Sequence, residues 1–423
     1  MLPSRWLALS LFIAVCCVLA KADTSPAERL ICAARRAAAA APSSRAYNRL
    51  ALGYARRARE TGDPSFYERA HDAVALSLEA EPGNYGARRV RVWALLGQHK
   101  FAQALEAAQA LNKEFPDDVI VYGFLSDAYT ELGRYEEAVE AAQWMLDMRP
   151  GNIPGLTRAA YLREIHGEIG GAVELMSQAL NRTPGSETED RAWILSQLAH
   201  LDLSRGRAGE ALELAEHALA AFPGYHYALA EQGRALLALN RPTEAVAALR
   251  KRYEAAPHPE NLFELAAALE KAELGTEAES AFRRFEQGAR AEMNEQDNCN
   301  RELIFYYADY ADDPEEALRV AKEEISRRGD LLTRDAYAWA LHRNGRGAEA
   351  WEQLAPALAL NTQNVRILYR AGVVAAANGN LARATELFEE SLAVNPKSTV
   401  ADSARAALKP LAAEASNKKG NQS

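Results

Sequence analysis

The chain has 423 residues, 48% hydrophobic and 25% charged, with 49 Lys and Arg against 58 Asp and Glu for a net charge of -9. An acidic balance without a Lys/Arg cluster argues against nucleic acid and against an anionic membrane surface as partners. Abundant Ala, Leu, Glu and Arg with few Val, Ile and Thr exclude a sheet protein.

Residues 1–22 stand apart: Arg5, an apolar run from Trp6 to Ala20, and Ala20-Lys21-Ala22 as a small-x-small site. They read as a cleavable signal peptide, because the apolar run is shorter than the roughly 20 residues that span a bilayer. An uncleaved anchor is the alternative. Cleavage removes Arg5 and Lys21, leaving 47 basic residues to 58 acidic ones, a net -11. It also removes Cys16 and Cys17, so Cys32 and Cys299 remain as two idle thiols. A helix over 26–41 is expected to cap the N-terminal end of a repetitive region that begins at residue 44.

From there the chain is periodic. Ala70, Ala104, Ala138, Ala172, Ala211, Ala245, Ala278, Ala317, Ala350 and Ala384 recur 33, 34 or 39 residues apart. Composition alone does not produce that register. Beyond these alanines come Pro82, Pro116, Pro150, Pro184, Pro223, Pro257 and Pro396, which end helices. Before them come Gly133, Gly167, Gly206, Gly345 and Gly379, where a chain reverses tightly. Each unit is therefore helix A, a Gly turn, helix B and a Pro turn.

The third unit, Val121 to Pro150, carries Tyr122, Leu125, Ser126 and Tyr129 as one stripe on helix A, with Val139, Ala142 and Met145 on helix B. Ser126 and Ala138 are small residues facing each other across the pair, and Ala160 with Ala172, Ala199 with Ala211 and Gly233 with Ala245 repeat the arrangement. This pattern of aromatic, Leu, small and Tyr on helix A followed by Ala, small and Pro on helix B resembles the tetratricopeptide repeat over residues 44–396. The resemblance implies an all-α solenoid of about ten repeats in a right-handed superhelix.

Several units depart from the pattern. The first is lengthened around ETGDPSF, the second places Val92 and Trp93 where small residues or Leu are usual, and the eighth has a short turn at Asp312-Asp313-Pro314. SETED at 186–190 and NEQDNCN at 294–300 are added segments, expected as surface loops or as breaks that let the array flex. A cap over 397–415, with its helix from 398, and a disordered tail at 416–423 close the chain.

No phosphate-binding glycine loop, HExxH, CxxC pair or GxSxG elbow occurs, and the eight His share no metal-ligand spacing. The expectation is a non-enzymatic scaffold with no metal and no cofactor. The resemblance implies that positions 2, 5, 9 and 12 of each unit line a concave groove, counting the repeated alanine as position 20. Those positions hold Trp93, Asp127, Tyr161, Trp193, His200, Tyr227, Arg234, Phe263, Trp339, His342, Arg366 and Tyr369. Exposed aromatics and arginines of this kind anchor partners. The set of Lys, Asn and Arg with which some tetratricopeptide domains grip a terminal carboxylate is missing.

The chain is thus expected to be exported, periplasmic or secreted and bacterial by its Arg over Lys bias. It should bind a protein or peptide in its groove, with no membrane insertion of the mature chain. A self-assembling array and an enzyme-accessory subunit are the alternatives.

Overall fold

The computed structural model of the chain describes residues 25–420, without the side chains of 413–420. The expected leader, 1–22, and residues 421–423 of the expected tail lie outside this range. Among the described residues there are 22 helices and no strand, so the fold is all-α. They form two compact units, divided between Gly97 and Gln98.

The first unit holds α1 (Pro26–Ala40), α2 (Ser44–Thr61), α3 (Ser65–Ala80) and α4 (Tyr85–Gly97). Ser25 starts α1 with a reciprocal cap: its hydroxyl accepts from Glu28 N at 3.2 Å, and its own N donates to Glu28 at 3.3 Å. Ala27, Ile31 and Ala34 are the buried residues of α1, and Ala27 N donates to Glu60 of α2 at 2.9 Å. The lengthening expected in the first A–B turn is absorbed by α2 itself, which continues for 18 residues until Gly62 ends it at φ 68°.

The second unit opens with α5 (Phe101–Glu114) and continues through α6 (Val119–Glu131), α7 (Tyr135–Met148), α8 (Ile153–Ile165), α9 (Ile169–Arg182), α10 (Thr188–Ser204) and α11 (Ala208–Ala221). It goes on with α12 (His226–Ala238), α13 (Pro242–Ala255), α14 (Pro259–Lys271), α15 (Gly275–Glu292), α16 (Asn300–Asp309) and α17 (Pro314–Ile325). It ends with α18 (Leu331–Arg343), α19 (Gly347–Ala359), α20 (Val365–Ala377), α21 (Leu381–Val394) and α22 (Ala401–Gly420). From α6 to α21 the helices pair as A and B. The A helices often start at a capping side chain, as where Asp118 accepts from Ile120 N at 2.8 Å and Asp330 from Leu332 N at 3.0 Å.

Within a pair the small residues make the contact. Ser126 donates to the carbonyl of Ala138 at 3.0 Å, and Ala138, Ala172, Ala211 and Ala245 are 0% exposed. Ala138→Leu is therefore expected to overpack the α6–α7 contact and cost about 1–3 kcal/mol, read as a lower melting temperature. An unchanged melting temperature would refute that contact.

Four expectations are corrected. Val139 is 40% exposed and does not share the buried stripe of α7, which is made by Ala138, Ala141, Ala142 and Met145. The SETED segment is no free loop: α10 begins at Thr188 and buries Glu189, which accepts from the hydroxyl of Tyr225 at 2.5 Å. The loop before α16 is pinned, since Asn300 donates to Met293 O at 3.1 Å and Arg327 to the same carbonyl at 2.9 Å. The final helix starts at Ala401 and reaches Gly420, past the expected end of the cap.

The stack of the second unit returns on itself. Gly329 N donates to Glu131 O at 3.1 Å, Leu331 N to the Tyr135 hydroxyl at 2.8 Å, and Arg328 pairs with Glu131, 197 residues away. One layer back, His99 lies 3.2 Å from Asp297. On the far side Asn395 donates to Leu203 O at 3.0 Å. Between these, a Cβ at Gly133 would fall on the Gly329 carbonyl and one at Gly167 on the Asn361 carbonyl. The A–B turns of the early pairs thus seat on the segments that precede α18 and α20 and follow α21. One apolar cluster bridges the same seam, joining Tyr135, Leu162 and Ile165 to Leu331.

Candidate functional site

These contacts recur at a near-constant separation along the chain, Glu131 with Arg328, Gly167 with Asn361 and Leu203 with Asn395, so the second unit coils with one turn resting on the next, and its A helices line the inner wall of that coil, called the ring below. Charge pairs between successive A helices line it. Arg158 reaches Asp127 at 2.5 Å and also donates to Gly123 O at 3.0 Å. His200 lies 2.7 Å from Glu164. Arg234 joins Glu231 at 2.5 Å and Glu264 at 2.6 Å, and Glu264 also pairs with Arg252. Arg370 pairs with Asp335 and lies over the Phe305 ring at 4.2 Å.

Burial opposes ionisation along this wall, and the pairing decides the outcome. Burial would raise Glu264, but Arg234 and Arg252 hold it below the ordinary carboxylate range. At Asp335 burial prevails and raises the carboxyl despite Arg370. Tyr161 is 43% exposed, yet burial lifts its hydroxyl well above the ordinary value, helped by Glu131, Glu164 and Asp330. Wetted side chains are therefore walled in by protein. Charged groups much further apart than about 10 Å are largely screened from one another in salt. Asp330 acts on Tyr161 from the seam, beside Leu331 and Tyr135, and Arg366 of α20 acts on Glu264 of α14.

His200 carries a pH prediction. Glu164, against burial and with help from Glu231, lifts its imidazole from 6.5 to about 9, while Arg234 works the other way. A raised folded value means that the pairing stabilises fully below pH 6.5 and is lost as pH rises through 9. The His200 ring is 40% exposed, so solvent moderates the effect. Melting temperature should fall from pH 6.5 to about 9 more steeply for the native chain than for His200→Gln. Parallel curves would refute the coupling.

The twelve expected groove residues divide on inspection. Asp127, Tyr161, His200, Arg234 and Arg366 lie on the inner wall with the groups just described. Trp339 donates its indole N–H to Asp309 at 2.8 Å, stacks on His342 at 5.2 Å and sits 5.8 Å from Arg370. Tyr369 packs against Phe388 at 5.8 Å. Trp193 is different: it is half-buried and wedged against two apolar clusters, one around Ile194 and Leu198 and one around Leu195 and Tyr225. Phe263 likewise belongs to packing, with Phe285 at 4.9 Å and Tyr310 at 5.9 Å. Tyr227 is 37% exposed and tilts on His226 at 4.1 Å. Trp93 lies half-buried in the first unit, apart from the others.

Arg158, Glu164, Glu231, Glu264, Asp335 and Arg370 line the wall and were not among the expected residues. Most fall at position 6, which is charged in four units: Arg158, Glu231, Glu264, Arg370. Those charges beside the expected positions were the available signal. Among the described residues no group of three or more His, Cys, Asp and Glu is arranged to hold a metal ion, and no helix is long and apolar enough to cross a membrane.

A family model described as tetratricopeptide repeat matches residues 89–153, 196–259 and 336–399. No curated protein matches the chain. Among solved structures, the human IFIT1 dimer with PPP-AAAA aligns at 13% identity and TM-score 0.50, covering 82% of each chain. A thermophilic TPR protein of Thermus thermophilus, TTC0263, aligns at 24% identity and TM-score 0.40 over 46% of this chain and 100% of its own. PilW, a type IV pilus biogenesis factor, aligns at 14% identity and TM-score 0.39 over 48% of this chain and 92% of its own.

Proposed function

Because this chain belongs to the tetratricopeptide repeat superfamily, we propose that it is an exported, non-catalytic scaffold that holds an extended segment of a partner protein inside the ring of its second unit. Repeats of this superfamily serve protein interaction, and the finer statement is supported by one observation: the turns of the second unit rest on one another. Contacts at Glu131, Tyr135 and Leu203 with Arg328, Leu331 and Asn395 leave an inner wall of paired charges with Tyr161, Trp339 and Tyr369 among them. We read this wall as suited to one extended chain. Main-chain groups of such a chain can bond to the polar wall while its side chains meet the aromatics.

The PPP-AAAA that accompanies human IFIT1 is not carried over to this chain. At 13% identity that likeness concerns the fold, and a net charge of -9 repels phosphates unless a basic patch offsets it.

The test compares one polypeptide in two states. A reduced and alkylated, permanently unfolded protein should bind, and the same protein folded should not. Equal binding of both contradicts the ring reading. Export rests on the leader at 1–22, and mass spectrometry of the native protein should find its N-terminus at or near Asp23. An intact Met1 on a cytosolic protein would overturn it.

A further inference from the structure

Arginines on the inner wall of the second unit are answered by carboxylates: Arg158 by Asp127, Arg234 by Glu231 and Glu264, and Arg370 by Asp335. The first unit is different. Residues 25–97 hold twelve arginines and no lysine against seven Asp and Glu, a net +5, whereas residues 98–423 hold 35 Lys and Arg against 50 Asp and Glu, a net -15. The overall charge of -9, which argues against an anionic surface, therefore conceals a basic unit. Much of the excess gathers on α2. With 3.6 residues to a turn, Arg45, Arg49, Arg56 and Arg59 fall within about 80° of its circumference, in a stripe about 21 Å long. Ala51, Tyr54 and Ala58 are buried on the opposite side. Arg45 and Arg49 are exposed and form no ion pair among the described residues, and Arg56 and Arg59 are half-buried. The one acid of α2, Glu60, is buried and turned towards α1, where it accepts from Ala27 N at 2.9 Å and pairs with Arg57 at 3.0 Å. The neighbouring α4, whose preceding Asn84 accepts from Asn48 of α2 at 2.6 Å, holds Arg88, Arg89 and Arg91 and no acid.

We propose that the first unit docks on the surface of a bilayer containing anionic phospholipid, with the α2 arginines on its phosphates. A guanidinium fork matches phosphate oxygens and keeps its charge beside them. Four such groups in a row on one helix face meet several headgroups at once, which a single soluble anion cannot do. The leader expected at 1–22 directs the chain to a bilayer, and α1 begins at Pro26, directly after it. A nucleic-acid strand is held by stacking as well as by charge. Of the rings in this unit Tyr54 is buried and Trp93 half-buried, while Arg69 and Arg89 cover Phe66 and Tyr85 at 4.7 and 5.6 Å. The acidic second unit is repelled by the same surface, so contact through the first unit turns the second towards solvent.

The experiment pellets the chain from Asp23 onward with vesicles of phosphatidylcholine alone and of phosphatidylcholine mixed equally with phosphatidylglycerol. Native protein should pellet with the mixed vesicles only, and added salt should release it. Arg45→Gln with Arg49→Gln should weaken this binding about thirtyfold, the effect of two charges near such a surface, and Arg45→Lys with Arg49→Lys should keep most of it. Both pairs of changes should leave helicity and melting as they are, since neither arginine has an ion-pair partner to lose. Arg241→Gln with Arg346→Gln, which breaks exposed pairs with Glu244 and Glu349 in the second unit, should bind vesicles like the native chain. A native chain that pellets with neither vesicle, or equally with both, overturns the proposal, and so does an Arg45→Gln, Arg49→Gln chain that pellets like the native one. Retention of a single-stranded oligonucleotide without any pelleting gives the stripe to nucleic acid and overturns it too. The peptide channel lies in the second unit and stands or falls separately from these outcomes.

Discussion

Gly133→Ala and Gly167→Ala are expected to open the ring, whereas Gly345→Ala and Gly379→Ala are not. All four glycines hold the same left-handed turn, with φ between 71° and 79°. A Cβ in that conformation costs about 1–2 kcal/mol wherever it is placed. The surroundings differ. A Cβ at Gly345 or Gly379 meets nothing within 4 Å, but at Gly133 it would fall on the Gly329 carbonyl and at Gly167 on that of Asn361. Those carbonyls belong to the far side of the seam, so the clash can be relieved only by parting it. With it would go the Arg328–Glu131 pair and the bond from Leu331 N to Tyr135, leaving a buried hydroxyl and a buried amide unpaired. Small-angle scattering should show a larger radius of gyration for the first two variants only, with the greater loss of melting temperature. Four equal shifts in melting with no change in radius would show that the seam bears no weight.

Phe285→Ala is expected to lower stability by about 3–5 kcal/mol, the usual range for truncating a fully buried aromatic. Phe285 is 0% exposed on α15, with Phe263 of α14 at 4.9 Å and Tyr306 of α16 at 5.6 Å. Phe282 extends the same cluster to Tyr306 at 5.8 Å and to Tyr310 at 4.5 Å. These rings tie α15 to α16 across the pinned loop 293–299. Their loss should leave that junction held chiefly by polar contacts, those of Tyr307 with Glu286 and Arg290 and those of Asn300 and Arg327. A chain of this length unfolds in stages, so the effect is best read locally. Hydrogen exchange should accelerate through α15 and α16 before it does elsewhere, and protease should cut within 293–299. Phe115→Ala, at a side chain 43% exposed, should change stability by no more than about 0.5 kcal/mol. If the two variants behave alike, the cluster is not what joins these helices.

The helices were legible in the sequence because each carries its own punctuation. Pro150 and Gly133 mark turns by local backbone chemistry, and the register of Ala138, Ala172 and Ala245 marks the tight contacts, all 0% exposed in the fold. Added residues were misjudged for the same local reason. SETED has loop-like composition, but Glu189 finds the Tyr225 hydroxyl and a helix forms over it. Positions 2 and 9 gave Tyr161, His200, Arg234 and Arg366, which lie among the paired charges, but also Trp193, which is wedged in packing. Closure was not legible at all. Its contacts pair segments nearly two hundred residues apart, such as Glu131 with Arg328, and neither has a periodic signature. Nothing short of the accumulated rotation of each repeat on the next determines where the stack comes back.

The central claim, that a partner's chain lies inside the ring, is tested most directly by site-specific photo-cross-linking. A benzophenone side chain replaces Tyr161, which is 43% exposed on the inner wall, or Val139, which is 40% exposed on helix B of the preceding pair. Each variant is irradiated with a reduced and alkylated polypeptide, and the adducts are mapped by mass spectrometry. The expected result is adducts from position 161 and none above background from 139, with those at 161 lost when Gly133→Ala is added. Adducts from 139 but not 161 would place the partner on the outer face and contradict the account.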